Sequence, residues 1–159
     1  MNQAVLSDNK TSKAIIYCRS ACKNQVAQRG MLDEQEASCR DYAKRKGYKV
    51  EHVFIDNGFP GTTLENPSLK AMLSFLETNP GHTVIIDDIA RLARNLEMHV
   101  RIREIVDRAD CRLESPNMEL GEDAESRFVE HMIASVAQHG RHNEASASTG
   151  RRKEPSHGN

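Results

Sequence analysis

Short apolar runs, each bounded by turn residues and followed by a segment of helical periodicity, constrain this chain more than any other feature. Lys13 to Cys18 is an isoleucine-rich apolar run ending in a polar loop, which predicts a buried strand. Asp33 to Lys46 reads as a helix with Tyr42 and Ala43 among its inward candidates and Gly47 as its stop. Lys49 to Ile55 reads as a second strand, and turn residues crowd the loop Asp56-Asn57-Gly58-Phe59-Pro60-Gly61 after it. Pro67 opens a helix with Leu69, Met72, Leu73 and Leu76 on one face, and Asn79-Pro80-Gly81 ends it. Thr83 to Ile86, apolar without alternation, predicts a central strand covered on both sides. Leu96 to Ala109 carries the stripe Ile102, Ile105, Val106 and Ala109, and Arg112 to Glu114 reads as a short fourth strand. Such alternation implies an α/β layered fold around a mostly parallel sheet of about four strands.

A last helix is expected to start near Ala124, where Glu122, Asp123 and Glu125 favour its positive end. Its apolar face of Phe128, Met132, Ile133 and Val136 reads first as packing. The chain is thus expected to form one domain over 13–142, between a disordered N-terminal extension, 1–12, and a disordered polar tail, 143–159. At 38% apolar residues and 4% aromatic, the core should be aliphatic. Cys18, Cys22, Cys39 and Cys111 lack any paired spacing, so free thiols are expected rather than a zinc site or disulfides. With no membrane-length apolar run and no leader, a cytoplasmic protein without membrane contact is expected. A formal net charge of −1 gives no general attraction to nucleic acid, so any DNA contact must come from a local arginine cluster.

Two polar segments at strand ends concentrate chemistry. The first is Tyr17-Cys18-Arg19-Ser20-Ala21-Cys22-Lys23-Asn24-Gln25, and the second is Asp87-Asp88-Ile89-Ala90-Arg91-Leu92-Ala93-Arg94. Arg91 and Arg94, three apart on an emerging helix, can both face one phosphodiester, whose oxygens suit forked donors. Taken singly, these arginines read as solvated helix charges, Tyr17 as a core aromatic, Gln25 and Gln35 as surface amides and Asp56 as a turn former. Asp87 and Asp88 form a tempting metal pair, but adjacent strand residues face opposite sides. His139 and His142, beside Gly140, are a weak ligand pattern, and no metal or cofactor is expected. Arg151-Arg152-Lys153 reads as a solvated tail that could brush DNA.

Together these segments resemble the serine recombinases (resolvase/invertase family), most closely the large bacterial ones, over roughly residues 13–141. Tyr17, Arg19 and Gln25 match the family's first active-site segment, with Ala21 at the place of the nucleophilic serine. Arg91-Leu92-Ala93-Arg94 matches Arg-Leu-x-Arg, Leu32 to Gln35 matches Leu-x-x-Gln, and Asp56, Gly61, Pro67 and Leu69 match the loop acid and the helix entry that follows. The chain departs from the family at Ala90, Asn66 and Gly140, where Asp, Arg and Glu are usual. The resemblance implies a Rossmann-like three-layer resolvase catalytic domain whose C-terminal helix is a subunit interface. It also implies Arg19, Arg91, Arg94 and Arg141 around a DNA phosphate, with Tyr17, Gln25, Gln35 and Asp56 shaping the pocket. Partners would be DNA, held weakly by this chain alone, and further copies in a homodimer or tetramer, or an intact recombinase. The DNA-recognition parts of such proteins are not found after Arg141, so either a truncated gene or a fragment is expected, with feeble sequence-specific DNA binding in both cases.

An alanine methyl cannot attack phosphorus. Three explanations stay open: a deliberate substitution, a naturally inactive relative, or Ser20 serving from the neighbouring position. Adjacent side chains leaving a strand point in different directions, which disfavours Ser20, and Cys22 reads as a spectator thiol. The resemblance implies a DNA recombinase impaired at Ala21; the alternative is a non-catalytic module that pairs with an intact recombinase. A small-molecule-binding α/β domain is a third reading, opposed by the lack of a Gly-rich loop after the first strand.

Overall fold

The structure is a computed structural model, described here for residues 12–123, 126–136 and 138. Its elements are β1 (Lys13–Ser20), α1 (Gln25–Lys46), β2 (Lys49–Asn57), α2 (Pro67–Thr78), β3 (Thr83–Ile86), α3 (Ile89–Leu92), α4 (Leu96–Arg108) and β4 (Arg112–Glu114). A final helix, α5, covers 126–136. The four strands form one sheet in the order β2-β1-β3-β4, and every pairing is parallel.

Alternation along β1 divides the core. Ile15 and Tyr17 face α2 and α4 with Val84, Ile86, Leu69, Met72, Leu76, Ile102 and Val106. Ala14, Ile16 and Cys18 face α1 with Ile85, Leu32, Cys39 and Ala43. The sheet is therefore the middle of three layers, and β3 is buried throughout, as its unbroken apolar run requires. Cys18, Cys22, Cys39 and Cys111 are free thiols, and burial pushes the Cys18 thiol up to about 12. Among the described residues no helix is long and apolar enough to cross a membrane.

Helix α1 begins at Gln25, well before the expected Asp33, because Asn24 caps it: its Oδ1 accepts from the backbone N–H of Val26 (3.1 Å) and Ala27 (3.2 Å). Its stop is the expected one, with Gly47 in the left-handed region at φ 73°. A second difference concerns α5. Phe128, Met132 and Val136 stand 64%, 52% and 68% exposed, while Glu130 and Ala134 are buried. The helix docks by its polar stripe. Buried ion pairs hold it to α4, and most of the apolar face expected to pack is left to solvent, with Ile133 half-buried. Residues 1–11 and most of the tail lie outside the described residues, as do Arg141, His139 and His142.

Candidate active site at the carboxyl edge of the sheet

The loops that follow β1, β2 and β3 leave the same edge of a parallel sheet, where such folds gather their functional groups. Arg19, near the end of β1, is 2% exposed. Its Nε donates to the Arg91 carbonyl (2.9 Å), Nη2 to the Ala90 carbonyl (2.8 Å) and Nη1 to the Phe59 carbonyl (3.1 Å). One guanidinium thus ties the β2–α2 loop to the turn of α3. Burial lowers its pKa below the ordinary arginine value, and the nearby charges of Arg94 and Arg91 act in the same direction.

Gln35 acts on Arg19 from α1. Its Oε1 accepts from the Arg19 N–H (3.1 Å) and its Nε2 donates to the Arg19 carbonyl (3.0 Å). Strand β3 ends opposite Tyr17, so this amide supplies the pairing that a longer β3 would have made. Tyr17 donates its phenol to Asp56 Oδ2 (2.8 Å), and the Asp56 carboxylate also accepts from the backbone N–H of Ser68 and Leu69, each at 2.9 Å. Asp56 thereby fastens the first turn of α2 to β1, a position that favours its negative charge. Burial, reinforced by that carboxylate, drives the Tyr17 phenol far above its usual pKa.

Arg91 and Arg94 are not on one helix, as their spacing implies. Helix α3 ends at Leu92, and Ala93 is extended, with φ −152° and ψ 139°. The chain breaks there because Asn95 caps α4, its Oδ1 accepting from Met98 N–H at 2.7 Å. Arg94 is nevertheless pinned to the same site, since its N–H donates to the Gly61 carbonyl at 2.7 Å. A Cβ on Gly61 would lie 2.7 Å from Arg94 Cγ and 2.8 Å from Arg19 Nη2, so that backbone runs directly against both arginines. Arg91 and Arg94 each keep a buried Nε without a hydrogen-bond partner. The arrangement offers donors and positive charge to an anion.

Ala21 follows β1 directly and is exposed, while Ser20 is 0% exposed with its Oγ accepting from Cys22 N–H at 3.2 Å. Gln25 is exposed on the first turn of α1, and among the described residues no side-chain hydrogen bond joins it to the groups above. The sequence reading missed three supports. Asp88 caps α3 by accepting from Arg91 N–H (3.1 Å) and lies 3.9 Å from Arg91 Nε; its place three residues before Arg91 is the legible capping signal. Asn66 donates to the Pro60 carbonyl, and Gln28 is buried facing Gly58; neither carries a local signal. Asp87 is engaged by Asn117, whose Nδ2 donates to its Oδ1 at 3.0 Å.

With this geometry in view, similarity to other proteins can be placed. Transposon Tn21 resolvase of Escherichia coli is 31% identical over 91 residues, which is 57% of this chain and 47% of that protein. The chain therefore spans about half the length of the curated relative it matches. The N-terminal catalytic domain of TP901-1 integrase shares the fold with a TM-score of 0.67 at 23% identity, over 83% of this chain and 98% of that one. The C-terminal catalytic domain of ISC1926 TnpA, an IS607-like serine recombinase, gives 0.60 at 27% identity, over 77% and 79%. A resolvase family site-specific recombinase from Streptococcus pneumoniae gives 0.64 at 16% identity, over 86% and 95%. The sequence matches the family described as the resolvase N-terminal domain over residues 14–154. An arginine-lined strand edge, an all-parallel four-stranded sheet and that match agree: this chain belongs to the resolvase N-terminal domain family and has the fold of a serine recombinase catalytic domain.

Proposed function

We propose that this chain is the catalytic domain of a site-specific DNA recombinase, built for strand cleavage and exchange and impaired because position 21 carries a methyl in place of a hydroxyl. In the active form of such a site a serine hydroxyl attacks the phosphodiester, forms a 5′-phosphoserine link and releases a 3′-hydroxyl. Return attack by a 3′-hydroxyl reseals the strand and frees the serine. Charge growing on the phosphate oxygens needs preorganised donors, and no metal has to supply them.

The observation that carries the reading is the convergence of three arginine charges at one strand edge: Arg19 is buried there, and Arg94 and Arg91 both act on it. Arg19 acts mainly as the clasp that sets these two, since three of its donors already serve backbone carbonyls. Tyr17, Asp56 and Gln35 hold the frame, while Gln25 and Arg141 are assigned to the pocket by the family resemblance. The burial of Ser20 supports a lost nucleophile over a displaced one.

The test is Ala21→Ser in the chain fused to a sequence-specific DNA-binding domain, incubated with nicked DNA carrying that domain's site. A denaturation-resistant protein–DNA adduct through a 5′ phosphate is expected for Ala21→Ser and none for the unaltered chain. Failure of Ala21→Ser to form the adduct would refute a latent recombinase. A second reading, a non-catalytic pairing module, is favoured by the exposed Phe128, Val129, Met132 and Val136 on α5, which suit a second copy or an intact recombinase. Mixed dimers in co-expression would select it, and a strictly monomeric chain would exclude it.

A further inference from the structure

Six buried side-chain polar atoms among the described residues lack a hydrogen-bond partner, and they fall in two places. Arg91 Nε and Arg94 Nε belong to the site above. The other four, His99 Nδ1, Arg103 Nε, Arg127 Nε and Glu130 Oε1, lie where α5 docks on α4. The Arg103 and Arg127 guanidiniums already stand against the carboxylates of Glu130 and Asp107, so the groups that ask for a missing partner are the His99 imidazole and Glu130 Oε1.

His99 Nε2 lies 2.9 Å from Glu130 Oε2, so this is the ring nitrogen that faces the carboxylate. Glu130 Oε1 is a bare acceptor on a carboxylate that is 1% exposed. His131 brings another imidazole, its ring edge-on to that of His99 with centroids 5.7 Å apart. One ligand-capable atom from each of His99, Glu130 and His131 lies within 4.8 Å of the other two.

We propose that His99, Glu130 and His131 form a binding site for a divalent transition-metal ion of the zinc type, which would staple α5 to α4. Two imidazoles and a carboxylate are the donor set such an ion takes, with water completing the shell. Arg103 Nε stands 2.9 Å from Glu130 Oε2, so the guanidinium holds one carboxylate oxygen and leaves the other for the ion. Ligating carboxylates are ordinarily oriented by an outer partner of this kind. Asp107, paired with Arg127 at 2.5 Å, adds negative charge beside Arg103 and offsets the crowding of cations. The site is separate from the DNA-cleavage reading and does not depend on it.

The experiment titrates the metal-stripped full chain with Co2+, read by visible absorption, and with Zn2+, read by calorimetry and thermal unfolding. Saturable uptake of one ion per chain and a rise in Tm are expected. His131→Ala should weaken binding about 10-fold or more, by the scale of a disrupted metal shell, and abolish the Tm shift. His131 is only partly buried and lies outside the Arg103–Glu130 pair, so this variant keeps the fold, as circular dichroism will verify. A joint His139→Ala and His142→Ala variant should bind as the unaltered chain does. Three results overturn the proposal: no saturable binding, binding undiminished in folded His131→Ala, or binding lost with the tail histidines.

Discussion

Arginines cluster in two regions of this molecule, and the two are built on opposite electrostatic plans. At the α4–α5 junction, Arg103 faces Glu130 and Arg127 faces Asp107, so buried positive charge meets carboxylate. At the carboxyl edge of the sheet, Arg19 is anchored by neutral carbonyls; among the described residues Arg94 has no carboxylate partner and Arg91 has only the distant Asp88 at 3.9 Å. Pairing a buried charge removes the penalty of its desolvation, and leaving it unpaired keeps that penalty in place. The junction is therefore an internal joint. The sheet edge gathers positive charge with little carboxylate beside it, as the phosphate-directed site proposed above requires.

The comparison can be broken from either side. The largest effect is expected at Glu130: Glu130→Ala strands Arg103 and should lower the unfolding free energy by about 3–5 kcal/mol, read by urea denaturation. In the Ala21→Ser background, Arg94→Ala should cut adduct formation about 10²–10³-fold, the scale of losing one transition-state donor. It should leave the thermal midpoint unchanged or higher, because Arg19 loses a like-charged neighbour. A loss of stability matching that of Glu130→Ala would show that Arg94 is a structural partner after all. Gly61→Ala should sharpen the picture: its methyl collides with both Arg94 and Arg19, costing about 1–3 kcal/mol and reducing adduct yield together.

The smallest effect is at the half-exposed Arg127–Asp107 pair. Its hydrogen bond from Arg127 holds the Asp107 carboxyl below the usual range. A depressed folded pKa means that its stabilisation is present above the ordinary carboxylate value of about 3.9 and is lost as pH falls through the folded value. Asp107→Asn should therefore cost under about 1 kcal/mol at neutral pH in low salt and nothing in strong acid, as paired denaturation curves will show.

Much of the site was legible because its residues sit at strand ends, where β-runs stop against turn residues. Tyr17, Arg19, Asp56, Gln35, Arg91 and Arg94 all lie in or beside one framework at the sheet edge. Gln25 has no side-chain hydrogen bond to it among the described residues, and the first turns of α1 were unreadable because their buried position is Gln28, a polar residue with no apolar stripe around it. The break between Arg91 and Arg94 was missed although Asn95, directly before the helix expected from Leu96, is a capping residue type.

Periodicity and strand composition alone determined the order of the main strands and helices, the α/β layering around a mostly parallel sheet and the burial of β3, because apolar burial is set by local pattern. Only tertiary structure decided which stripe of α5 turns inward. Hydrophobic pattern chose Phe128, Met132 and Val136, but the fold buried Glu130, because His99 and Arg103 of α4 stand ready to pair with it. Partners distant in sequence set the environment of each charge, and no local reading of the chain contains them.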